Sequence, residues 1–209
     1  MKIGGLVPFC LNDYPGLPAA VIFTQGCNFR CPFCHNGHLI PTRADSLIEE
    51  SEIFEFLDAR VGKLEGVVIS GGEPTLQPDL LPFLRKVREK GFQVKLDTNG
   101  SFPETLEMLL REGVVEYVAM DIKAPFPIYE RLAGVPVNVP RIRRSVDLLA
   151  SHSVAHTFRT TFVEPLLTQA DIDAIRLSLP PNSRYETQPF NPETALDQTI
   201  RRNSGKNHS

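Results

Sequence analysis

Six short apolar runs, each but the last trailed by a stretch with helical spacing, leave this chain few folds to adopt. Residues 20–24, 66–70, 93–97, 114–122, 155–163 and 184–190 read as strands. Each is short and apolar, and a Gly, Pro or polar cluster bounds it. Between them, residues 47–61, 79–90, 103–112, 139–152 and 168–179 carry apolar side chains at spacings that load one helical face. Gly91 and Gly113 follow two of these stretches, and Pro103 opens one, as helix ends and starts require. Strand and helix alternating in this way make successive βα units and a mostly parallel sheet. Right-handed crossovers then curl the units into a doubly wound sheet or a barrel. Six units fall short of the eight of a closed barrel.

With 209 residues the chain is predicted to be one domain over 1–200. Residues 1–18 are a Gly/Pro-rich lead-in without an assigned element, and the polar tail 201–209 is expected to be frayed. Hydrophobic residues at 42% and charged residues at 22% exclude wholesale disorder. A net charge of -3 gives no chain-wide basic footprint, so nucleic acid is not an expected partner. No apolar run reaches the ~18 residues of a membrane span, and nothing near Met1 resembles a signal peptide. A cytoplasmic protein without membrane contact is the expectation.

Polar residues recur where the strands end. Cys27 follows the first, Gly71-Gly72-Glu73 the second, and Asp97-Thr98-Asn99 the third. Asp121 and Lys123 close the fourth, and Arg159 lies in the fifth. Parallel α/β sheets carry their sites on that edge.

Three of the four cysteines, Cys27, Cys31 and Cys34, fall within eight residues in the spacing C-x3-C-x2-C. In a cytosolic chain such crowding favours metal chemistry over disulfides. Three soft thiolates suit an iron–sulfur cluster with one iron left open. A structural zinc completed by His35 or His38 is the alternative on spacing alone, though His35 adjoins Cys34 and ligates the same ion awkwardly. Cys10 reads as a small buried thiol.

C-x3-C-x2-C after the first strand, with Ser70-Gly71-Gly72-Glu73-Pro74 after the second, resembles the radical S-adenosylmethionine superfamily. The resemblance narrows with Asp13-Tyr14-Pro15-Gly16, the run from Phe23 through Pro32, Cys34-His35-Asn36, Leu96-Asp97-Thr98-Asn99-Gly100 and Met120-Asp121-Ile122-Lys123. Together these are similar to the glycyl-radical-enzyme activases. The nearest are those serving anaerobic ribonucleoside-triphosphate reductase, followed by the pyruvate formate-lyase activases. The likeness spans nearly the whole chain and implies a partial (β/α)6 TIM-type barrel.

It also implies one 4Fe-4S cluster on Cys27, Cys31 and Cys34, with S-adenosylmethionine on the open iron. Reductive cleavage would give methionine and a 5′-deoxyadenosyl radical that takes a glycine Cα hydrogen from a partner enzyme. Phe33, His35, Asn36, Gly71, Gly72, Glu73, Pro74, Asp97, Asn99, Asp121, Lys123 and Arg159 are then the implied ligand-binding positions. Asp97, Thr98 and Asp121 match a monovalent-cation site for Na+ or K+. A flavodoxin or ferredoxin would donate the electron. Residues 124–140 are expected at the mouth, and Arg141, Arg143 and Arg144 on a solvated helix face. Pro189-Phe190-Asn191 stands where some activases carry a ligand-contacting histidine. A radical enzyme acting on a small molecule is a second reading. A non-catalytic iron–sulfur or zinc module is a third, which leaves the strand-end motifs unexplained.

Overall fold

A computed structural model describes residues 1–164 and 166–203, with side chains as far as residue 200. Seven strands form one sheet in chain order: β1 (Ile3–Cys10), β2 (Ala19–Thr24), β3 (Gly66–Gly71), β4 (Gln93–Thr98), β5 (Tyr117–Asp121), β6 (Ala155–Phe162) and β7 (Tyr185–Pro189). β2 to β7 run parallel, and β1 is antiparallel to β2. The sheet does not close, so β1 and β7 are its edges. The six parallel strands are those expected from the alternation, in an α/β fold that stops short of a full barrel.

The helices are α1 (Glu50–Asp58), α2 (Leu80–Glu89), α3 (Pro103–Arg111), α4 (Tyr129–Ala133), α5 (Val139–Ser151), α6 (Gln169–Ser178) and α7 (Gln198–Asn203). One face of each strand from β2 to β6 packs on them. Ile22, Ile69, Leu96, Val118 and Phe158 are fully buried against helix residues such as Leu57, Phe83, Leu109, Ile142 and Ile175. The period-two alternation sends the intervening residues to the opposite, concave face. There Tyr14, Ala19, Val21 and Val68 form a small apolar floor. Above that floor the same face turns polar, with Ser70, Asp97, Asp121 and Arg159.

Four segments differ from the sequence reading. The lead-in holds β1, whose register shifts twice against β2. Those irregularities break the alternation that announces a strand. α1 is shorter than 47–61 because a capping box between Glu49 and Glu52 sets its start, and Val61 lies exposed beyond its end. The expected mouth loop 124–140 contains α4, with Tyr129, Leu132 and Ala133 buried in the core. α7 carries the backbone of the expected tail to Asn203, and residues 204–209 lie outside the described ones.

Candidate active site at the C-terminal rim

The loop after β2 carries the three cysteines and is held from several sides. Gly26 and Cys27 donate backbone N–H bonds to Leu39 O (2.7 Å) and Ile40 O (3.0 Å). The buried Gln25 amide donates to His38 O and Pro41 O behind the loop. Asn28 donates to Ser101 Oγ at 3.0 Å and accepts from Asn99 Nδ2 at 3.0 Å, which ties the loop to the end of β4. Arg30 N donates to Ala133 O at 2.8 Å, so α4 braces the loop rather than only forming a mouth. A backbone bond from Cys34 N to Cys31 O closes the turn between the last two thiols.

Cys31 is buried, and Cys27 and Cys34 are half-buried. All three line one cavity of about 350 Å³, with Phe29 and Phe33 as apolar walls. Burial pushes the Cys27 thiol up to about 12 and the Cys31 thiol to about 11. Lys123 opposes the shift at both without cancelling it. The protein alone therefore keeps these two as thiols, and ligation must supply the charge that ionises them. The three thiols face one shared cavity, and three soft thiolate donors suit an iron–sulfur cluster. His38 is exposed and does not line the cavity, which removes one zinc ligand of the alternative reading.

The turn after β3 docks on that loop through Gly72 N to Thr24 O and Glu73 N to Gly26 O, both 2.9 Å. Glycine is required at Gly72, because a Cβ there would sit 2.1 Å from Gly26 O. The Glu73 carboxylate is buried and accepts from Thr75 N, the Thr75 hydroxyl, Thr98 Oγ1 at 2.7 Å and Asn99 N at 2.7 Å. Burial raises its pKa, and these donors offset part of that rise. Glu73 is thus a brace between the ends of β3 and β4. Pro74, an expected ligand contact, opens a short 3-10 turn behind it and does not line the cavity.

A row of charges crosses the concave face. Lys95 Nζ pairs with Asp97 Oδ1, which Arg159 Nη2 approaches at 3.6 Å. Arg159 Nε and Lys123 Nζ each reach Asp121 at 3.0 Å. Ser70 Oγ donates to Asp97 Oδ2 at 3.0 Å. Burial alone would raise the Asp121 pKa, but Arg159 and Lys123 hold it down at about 2. Lys123 lies 5.9 Å over the Phe33 ring, beside the cysteine loop.

The structure brings Phe33, His35, Asn36, Gly71, Gly72, Glu73, Asp97, Thr98, Asn99, Asp121, Lys123 and Arg159 to the cavity with the cysteines. The oxygens expected to hold a cation are committed elsewhere: Thr98 Oγ1 to Glu73, and both carboxylates to basic side chains. His35 is exposed and stacks on Phe190, with ring centroids 5.9 Å apart. Asn191 spends its side chain on Glu193 N. Cys10 is half-buried and hydrogen-bonded to Asp13 rather than enclosed. Arg141 and Arg144 pair with Glu104 and Glu107 of α3, so that helix face is stitched to its neighbour. Sequence reasoning missed Gln25, Asn28, Ser70 and Lys95. A lysine set between the apolar Val94 and Leu96, two residues before Asp97, was the available signal for the last.

Comparison with known proteins places the chain. The family model described as "Radical SAM superfamily" matches residues 21–177. A Methanocaldococcus jannaschii protein, described provisionally as a glycyl-radical enzyme activating enzyme, is 36% identical over 205 residues. That match covers 96% of this chain and 84% of that protein. The pyruvate formate-lyase-activating enzyme of Streptococcus mutans is 31% identical, over 90% of this chain and 78% of its own length. Among solved structures, SuiB of Streptococcus suis bound to S-adenosylmethionine superposes with a TM-score of 0.62 at 17% identity. It covers 82% of this chain and 40% of SuiB, a likeness of fold. Sequence and fold agree: the chain belongs to the radical SAM superfamily and, within it, to the glycyl-radical-enzyme activases.

Proposed function

We propose that this chain activates anaerobic ribonucleoside-triphosphate reductase by installing a glycyl radical in it, as a single domain over residues 1–200 working in the cytoplasm. The observation that carries the reading is the convergence of three thiols from one loop with the strand-end motifs of β3, β4 and β5 on one cavity. Cys27, Cys31 and Cys34 would hold a 4Fe-4S cluster by three irons, leaving the fourth for the amino and carboxylate groups of S-adenosylmethionine. Bound there and reduced, the cluster would supply the electron for cleavage of S-adenosylmethionine to methionine and the 5′-deoxyadenosyl radical that takes the partner's glycine Cα hydrogen.

The protein's own residues position and shield. The docked turn at Gly71 and Gly72 presents backbone beside the cysteine loop, where an ammonium is received. Lys123 and Arg159 offer fixed positive charge to the ligand's carboxylate. Phe29 and Phe33 keep water from the thiols, and Asn36 offers a polar contact at the rim. A flavodoxin or ferredoxin is the proposed electron donor. Na+ or K+ at Asp97, Thr98 and Asp121 would have to displace Lys95, Lys123 and Arg159 from their carboxylates, which argues against it.

Pyruvate formate-lyase is the second partner reading, favoured by the match along most of the S. mutans enzyme. The test is to load the protein anaerobically, reduce it, and mix it with each candidate partner and S-adenosylmethionine. The expected result is a glycyl radical signal by electron paramagnetic resonance in the ribonucleotide reductase. A signal in pyruvate formate-lyase alone selects the second reading. Deoxyadenosine without a radical on either protein contradicts both and points to a small-molecule substrate.

A further inference from the structure

Lys95 is 3% exposed on the concave face of β4, yet it does not line the cavity. A buried ammonium is costly unless it is paired. Its partner is Asp97, two residues along the same strand and on the same face. Asp97 Oδ1 is also approached by Arg159, but at 3.6 Å, beyond hydrogen-bond length. Arg159 spends its Nε on Asp121 instead, at 3.0 Å, and lines the cavity. Ser70 occupies the other Asp97 oxygen. Asp97 is thus saturated from beneath and from its flank, and Arg159 keeps part of its guanidinium for the cavity.

We propose that Lys95 is a positioning residue: by holding Asp97 Oδ1 from below, it keeps Arg159 from closing fully on Asp97 and leaves part of its guanidinium to receive the carboxylate of an amino-acid-type ligand. This rests on the reading of S-adenosylmethionine as the ligand. Without Lys95, Asp97 is a half-satisfied, part-buried carboxylate with one cation in reach. Arg159 then closes on it and withdraws from the cavity. The consequence falls on the carboxylate end of the ligand and leaves the nucleoside end untouched.

The test uses the cluster-loaded protein under anaerobic conditions and two probes. One is S-adenosylmethionine; the other is 5′-methylthioadenosine, which has the nucleoside but no carboxylate. In Lys95→Met the dissociation constant for S-adenosylmethionine is expected to rise about tenfold, the loss of one modest charged contact. That for methylthioadenosine and the iron content per chain stay unchanged. The double variant Lys95→Met/Asp97→Asn removes the anion that draws Arg159 away. It is expected to regain part of the tenfold loss in S-adenosylmethionine affinity. It also carries the test if the single variant does not fold.

Unchanged S-adenosylmethionine affinity in Lys95→Met overturns the proposal. So does an equal loss for both probes, which marks a structural defect, and so does a double variant that binds no better than a tenfold loss. Failure of the wild type to bind S-adenosylmethionine at all overturns the functional reading first, and this proposal with it.

Discussion

Glu73 accepts four hydrogen bonds and donates none. That makes it intolerant of a neutral isostere. In Glu73→Gln an amide NH2 must face backbone or hydroxyl donors, since a glutamine has only one acceptor atom. The expected cost is about 1–3 kcal/mol of unfolding free energy, measured in urea, although burial already raises the carboxyl's pKa. Asp121 behaves in the opposite sense. Its folded pKa of about 2 lies below the usual 3.8, so its pairing with Arg159 and Lys123 stabilises the fold above pH ~4. That contribution is lost as pH falls from ~4 to ~2. The stability gap between wild type and Asp121→Asn, read by urea unfolding at pH 6, 4 and 3, is expected to shrink as pH falls. A gap that stays constant means the two cations do not depress its pKa. Most of these side chains were legible as site residues because each sits at a strand end. Their roles were not. Glu73 and Asn99 look alike in sequence as polar rim residues, yet both are spent on bracing.

At the scale of elements, the cysteine loop is a suspended segment whose shape comes from its neighbours. Asn28, Gln25 and the Arg30 backbone fasten it to β4, to its own return path and to α4. The chain beyond β7 adds a cover. Asp197 N donates to Pro32 O at 2.8 Å, Phe190 stacks on His35, and Ala195 and Ile200 are buried. Ile200→Asp is expected to loosen that cover while β1 to β7 stay intact. The reading is faster loss of iron to a chelator, several-fold, followed by the fading of visible absorption. Unchanged chelation kinetics would show that the cover does not shield the loop. The helical period and the Gly and Pro boundaries made α2, α3, α5 and α6 readable to within a few residues. α4 was hidden because its five residues are too few to show a period. β1 was hidden because its two register shifts interrupt the alternation.

For the whole molecule, the topology follows from chain order. Six parallel strands added one after another leave every strand's C-terminal end on the same rim. Residues separated by more than a hundred positions, Cys27 and Arg159 among them, therefore meet in one cavity. That much was legible in the alternation alone. The antiparallel edge was not, since a single extra strand leaves no mark on the βα rhythm. The open sheet leaves the cavity reachable from the rim, as a protein substrate's glycine must find it.

On the proposed reading, the three thiols of this loop support reductive cleavage of S-adenosylmethionine. The most direct measurement is 5′-deoxyadenosine formed by the anaerobically loaded and reduced protein, with Cys31→Ala alongside. Deoxyadenosine is expected from the wild type, and neither cluster absorption nor product from the variant. A fully loaded, reduced wild type that forms no deoxyadenosine, or a Cys31→Ala protein as active as wild type, would contradict that reading.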